Sequence, residues 1–331
     1  MEAGTVSRGG RSSALARPPL SRLPDQVLRW GLTGLAAAIL ALIAFFFVKL
    51  YIEAEPVFSQ YGFVNFVFSN EWVPSKQLYG ALPLLVGTII TSVIALAIGV
   101  PVAVASALYI TELAPRRAKQ PLTILVELLA AVPSVVYGLW GVFVLIPKLK
   151  PIEQWFSDAF SFLPFIGGQV AGPNYFIAGL ILAIMILPIV SAISREVMST
   201  VPVEHKEAAL ALGATRWEMI RMAVLPYSRA GITGASMLGL GRAIGETIAA
   251  TLVIGNAPDI GKTLFSQGYT LAAVVANEFG EAASDPTHRA ALIAAGLVLF
   301  VLTLIINAAA RYFVVRSERA TSRGVPKGMA G

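Results

Sequence analysis

The 331-residue chain is 56% hydrophobic, has a mean hydropathy of +0.73, and carries charge on only 13% of its residues. Soluble globular domains carry about 25% charged residues, so the composition excludes that class and indicates a membrane protein. With no cysteine and only two distant histidines, His205 and His288, disulfides, thiolate metal sites and a histidine metal centre are excluded.

A hydrocarbon core of about 30 Å needs about 20 helical residues. The chain predicts an all-α, polytopic membrane protein with six such helices. Residues 1–29 form a basic tail rich in Gly, Ser, Arg and Pro, which reads as disordered. The first span covers Trp30–Ile52. Its apolar run, GLTGLAAAILALIAFFFVKL, is too long for a signal-peptide core and lacks a small-x-small cleavage site, so it reads as a retained anchor. Lys49, near its end, snorkels. The second span covers Leu82–Ile110. The third, Leu122–Ile146, contains Glu127, about 9 Å from the span's start. That carboxylate has two readings, pairing with a basic residue near that face or with a partner subunit. The fourth span covers Tyr175–Ile193.

The loop at 201–226 reads VPVEHKEAALALGATRWEMIRMAVLP. Pro202 suits the first turn of a helix over Val203–Leu212, and Gly213 suits the left-handed position that ends one. Thr215 and Glu218 form a T-x-x-E capping box for a second short helix, which Pro226 then breaks. A protruding helix–turn–helix of this kind either docks in a partner's groove or is a solvated connector.

The fifth span, Gly231–Asn256, carries Arg242 about 16 Å from its start, near mid-bilayer. An arginine there costs roughly 2.5–3.5 kcal/mol, so it faces protein or water. Glu246, four residues on, shares its face and neutralises it. Either the two form a structural ion pair that fixes packing, or they lie on a translocation path. Gly241 and Gly245 form G-x-x-x-G, read as a helix-packing face. In GLGRAIG the third glycine comes one residue late for a dinucleotide fingerprint. GNAPDIGKT resembles a P-loop, but five residues separate Gly255 from Gly261 where four are required. If ATP drives this protein, another chain binds it.

Thr270 is positioned to cap a short helix, LAAVVANEFG, that lies at the interface, re-enters, or packs on the bundle. The sixth span covers Ala290–Tyr312, and residues 313–331 form a second basic tail. Of the 25 Lys and Arg, 18 fall in the two tails and in the loops after the second and fourth spans; five fall on the opposite side. The positive-inside rule therefore puts both termini and the 201–226 loop in the cytoplasm. Topology accounts for the +6 net charge without nucleic-acid binding. No internal duplication of the secondary-transporter kind is evident.

Glu207-Ala208-Ala209, three residues, Gly213, then Leu225-Pro226 resembles the EAA coupling loop of ABC importer permeases. Ala223 stands where that pattern has Ile, which removes only some apolar contact. RWEMIRMAVLPYSRAGI, GLGRAIGET, LVIGN and ANEFGEA are similar to the PstC-type permease subunits of phosphate ABC importers. The resemblance covers Trp30 to Tyr312 and is strongest from Val201 to Ala282. It implies a MetI-like permease fold over 30–312 in the plasma (inner) membrane, with Glu207, Ala208, Ala209, Gly213, Leu225 and Pro226 coupling to an ATPase. It also implies a second permease of the PstA type, a PstB-type ATPase dimer that holds ATP and Mg, and an external PstS-type phosphate-binding protein. No cofactor, catalytic residue or metal is expected in this chain. Arg242 then suits a phosphate contact, because a planar guanidinium bonds two phosphate oxygens at once. A permease for sulfate or molybdate with the same loop is the alternative. An ion-coupled secondary transporter is a further one, and the EAA-like loop argues against it.

Overall fold

The structure is a computed structural model that describes residues 23–322, with side chains from 26 to 312. The tail segments 1–22 and 323–331, read as disordered, lie outside the described residues. The chain divides into two compact units, Met1–Lys49 and Leu50–Gly331. Helix α1 (Leu23–Tyr61) enters both, so part of the predicted N-terminal tail is helical. Every side chain from 26 to 49 is exposed, which suits lipid around a helix that is apolar on all sides.

Among the described residues the second unit is mainly helical, with one short hairpin. After α2 (Phe63–Phe68), strands β1 (Trp72–Val73) and β2 (Leu78–Tyr79) pair antiparallel, with Trp72 opposite Tyr79. There follow α3 (Leu82–Leu108), α4 (Arg116–Ala131), α5 (Ser134–Trp140), α6 (Ile146–Ala159) and α7 (Tyr175–Ser199). Next come α8 (Val203–Ala211), α9 (Arg216–Met219), α10 (Leu225–Ile244), α11 (Ile248–Ile254), α12 (Leu271–Glu278) and α13 (Pro286–Ser322). The last helix carries ten residues of the predicted C-terminal tail as helix. Among the described residues, five helices are long and apolar enough to cross a membrane; the bent pair α10–α11 adds a sixth crossing if it is taken as one span.

Helices α3, α7 and α10 form the centre. They approach closely because glycines stand at their contacts. A Cβ at Gly99 would lie 2.9 Å from the Ala183 carbonyl oxygen, and one at Gly239 would lie 2.7 Å from Val190 Cγ2. Small residues at helix contacts replace the hydrophobic drive that lipid cannot supply. Three apolar clusters stack along the bundle. One joins Trp72, Tyr79, Leu84, Leu271 and Leu292 at the hairpin end. One lies mid-bundle around Ile181, Ile186 and Val253. The third, with Met198, Met219 and Ile220, underlies α8.

Two predicted spans need correction. The third runs over Ser134–Ala159, not Leu122–Ile146. Pro133 disfavours helical backbone at Val132, which is extended at φ −70°, ψ 125°. The residues before it make α4, an amphipathic helix with no buried side chain that carries Glu127 outside the span. The fifth predicted span is broken. Helix α10 ends at Gly245, and α11 departs at 66° after Glu246 and Thr247.

Candidate functional site

The 201–226 loop folds as its capping chemistry predicts. Pro202 stands at the cap of α8 with φ −55°, one residue before the first turn. Gly213 adopts φ +85°, a conformation that L side chains rarely take. Thr215 Oγ1 accepts the Glu218 N–H at 3.3 Å, while Glu218 Oε2 accepts the Thr215 N–H at 2.7 Å. The backbone bond from Thr215 holds the Glu218 carboxyl below its ordinary value.

The six residues expected to couple to an ATPase divide by direction. Ala209 and Leu225 pack down onto the Met198–Ile220 cluster. Glu207, Ala208, Gly213 and Pro226 are exposed. Beside them Leu212 is 90% and Trp217 61% exposed. Lys206 Nζ contacts Glu112 Oε1 at 2.7 Å and ties α8 to the π turn after α3. Pro226 does not break the second helix. A π turn over Ile220–Val224 precedes it, and Pro226 sits in the first turn of α10, so Arg216–Ile244 runs on as one helical rod. The wider turn relieves the clash between a proline ring and the carbonyl four residues earlier.

The expected Arg242–Glu246 pair does not form. Arg242 lies in the last turn of α10, where the helix dipole favours a cation, and it is exposed. Glu246 lies beyond the helix end, so the four-residue spacing no longer places it on the same face. Its Oε1 accepts the Ala249 N–H at 3.3 Å, capping α11. Among the described residues no ion pair joins the two. The helix-packing role of Gly241 and Gly245 also fails within this chain. A Cβ at Gly241 would meet nothing within 4 Å, and Gly245 is where α10 stops. Gly239 makes the close contact instead.

Glu127 does find a basic partner, Arg195 on α7. Arg195 Nη2 lies 3.2 Å from Glu127 Oε1, and Nη1 donates to Thr123 Oγ1 at 2.9 Å. At the hairpin end a polar cluster gave no sequence signal. Glu278 Oε2 accepts Trp72 Nε1–H at 3.0 Å and lies 3.0 Å from His288 Nε2, while Tyr79 stacks on the His288 ring. Burial, reinforced by Asp285, pushes the Tyr79 phenol up to about 12. This cluster locks the hairpin, α12 and α13 together. The Thr270 cap is present, its hydroxyl accepting the Ala273 N–H at 3.1 Å, and α12 packs into the bundle.

Residues 99–319 match the family described as binding-protein-dependent transport system inner membrane component. This chain belongs to that family. The permease is 42% identical over 316 residues to the phosphate transport system permease protein PstC of Mesorhizobium japonicum, covering 94% of this chain and 96% of that one. It is 41% identical to PstC of Pasteurella multocida, covering 87% and 91%. It is 45% identical to PstC 2 of Mycobacterium tuberculosis, covering 90% and 96%. A solved bacterial alginate ABC transporter, in complex with a periplasmic protein, matches with a TM-score of 0.57 at 19% identity, covering 89% of the permease and 98% of that chain. That likeness establishes the fold alone, which is the ABC importer permease fold. The family match includes α8–α9 and the α10–α11 break and excludes α1.

Proposed function

We propose that the permease forms half of the membrane pathway of an ATP-driven importer of inorganic phosphate. The observation that carries this reading is its similarity, at 41–45% identity over nearly the whole chain, to phosphate transport permeases. The other half is a second permease of the PstA type. A PstB-type ATPase dimer, holding ATP and Mg, docks on α8–α9, and a PstS-type binding protein delivers phosphate at the hairpin end. The distribution of Lys and Arg supports cytoplasmic termini.

Arg242 is the proposed substrate contact. It is exposed, has no ion-pair partner among the described residues, and adjoins Gly241, whose outer side is open for a second subunit or a solute. Glu246 bonds the backbone, so the guanidinium stays free to hold phosphate oxygens in a fork. Glu207 and Ala208 present the outward face to the ATPase, and Leu212 and Trp217 supply the apolar anchor.

The test is phosphate uptake by the assembled complex in proteoliposomes. Glu207→Lys, which reverses charge on the exposed face of α8, is expected to abolish ATP-dependent uptake while insertion is unchanged. Uptake at the unmodified rate would remove the docking role. Uptake by this chain without an ATPase would remove the whole reading.

A further inference from the structure

Between α4 and α7, near the α8 end, lies an open groove of about 460 Å³. Lys119, Thr123 and Glu127 line one wall, spaced by four along α4. Arg195, Glu196 and Ser199 of α7 line the other. Arg195 and Glu127 neutralise each other across it. That leaves one cation and one anion. Lys119 donates to the Thr111 carbonyl and has no carboxylate partner among the described residues. Glu196, on the opposite wall, has no cationic partner among them either.

A simple anion entering this groove meets Glu196, and a simple cation meets Lys119. A zwitterion with a phosphate and an amine satisfies both. The adjacent face of α4 is apolar and exposed: Ile124 48%, Leu125 60%, Leu128 60%. Arg116 and Arg117 are exposed at the helix start. A basic end, a polar groove and an apolar stripe in that order describe an amphipathic helix lying at a lipid interface.

We propose that the groove seats the headgroup of a zwitterionic phospholipid, with its phosphodiester beside Lys119, its amine beside Glu196, and its acyl chains along Ile124 and Leu128. The ligand chemistry is an amine-bearing phosphate ester, and the occupant is a bilayer lipid rather than a transported solute.

Native mass spectrometry of the purified full-length permease complex, with added phosphatidylethanolamine or phosphatidylglycerol, tests this. Phosphatidylethanolamine is expected to bind about fivefold more tightly, the effect of one added charge-assisted contact at a partly exposed site. Glu196→Gln should erase that preference by weakening phosphatidylethanolamine alone, and Lys119→Gln should weaken both lipids. Equal binding of the two lipids to the unmodified complex overturns the proposal, and that comparison needs no variant. A preference that survives Glu196→Gln also overturns it. Displacement of the lipid by soluble O-phosphoethanolamine or inorganic phosphate at equal concentration reassigns the groove to a solute.

Discussion

Two arginine–glutamate sets in this permease behave in opposite ways. Arg195 and Glu127 are 68 residues apart in sequence and meet at 3.2 Å between α7 and α4. Arg242 and Glu246 are four residues apart and do not meet, because the helix that would align them ends at Gly245. An i, i+4 pair exists only where the helix is continuous. The first set is a brace between two helices. The second is split, with the carboxylate capping α11 and the guanidinium in no ion pair among the described residues.

The largest effect falls on Arg242. Arg242→Gln is expected to lower phosphate uptake by the assembled complex tenfold or more, the loss of about 1.5–3 kcal/mol from a charge-assisted contact. Complex assembly and thermal stability should not change, since Arg242 makes no ion pair among the described residues. A complex that fails to assemble would make Arg242 a brace like Arg195. Glu246→Gln should reduce uptake far less than Arg242→Gln, because an amide oxygen still accepts the Ala249 N–H.

Next come the two glycines just before this arginine, Gly239 and Gly241. Gly239→Val forces a side chain against Val190 and should cost the chain about 1–3 kcal/mol of stability. A Cβ at Gly241 meets nothing within 4 Å, so Gly241→Val should leave the isolated chain's melting transition where it was. The order of the two melting temperatures is the check. Equal loss at both positions would return Gly241 to the packing role that its G-x-x-x-G spacing suggests.

The brace itself contributes modestly. Glu127 is 58% exposed, so its ion pair with Arg195 is screened and contributes under about 1 kcal/mol. Glu127→Gln should therefore speed amide hydrogen exchange in α4 only slightly. Arg195→Ala should speed it more, because the Thr123 bond is lost as well.

These outcomes bear on what was legible in the sequence. The α8–α9 hairpin was legible because its signals are local: Gly213 ends one helix and Thr215 with Glu218 starts the next, all within six residues. The α10–α11 break was not legible. The residues flanking Arg242–Thr247 are mostly apolar, so hydropathy read across Gly245 and Glu246 as one span. The third span was misplaced for a related reason. Val132-Pro133 carried a local stop signal that the apolar run concealed. Pro226 erred the other way, since a π turn absorbed a proline that propensity treats as a stop. The Trp72–Glu278–His288 cluster joins the hairpin to a carboxylate 206 residues away and so has no local signature.

The smallest effect tests whether a carboxylate bound to backbone differs from one bound to arginine. Glu218, like Glu246, accepts a backbone N–H, in this case from Thr215 at 2.7 Å. That bond lowers its pKa. A carboxyl whose folded pKa is depressed contributes its stabilisation above the unfolded value of about 4.3 and loses it as pH falls through the folded value. The first turn of α9 should therefore hold at neutral pH and loosen only in acid. The measurement is the exchange protection of the Arg216–Glu218 amides across that range. In Thr215→Ala the hydroxyl acceptor for the Glu218 N–H is gone, so protection should be lower at neutral pH, while the acid step persists because the Thr215 backbone N–H remains. Glu218→Gln should remove the acid step. If the step survives that substitution, a different carboxylate controls the turn, and the capping box is not what holds the α8–α9 hairpin in shape.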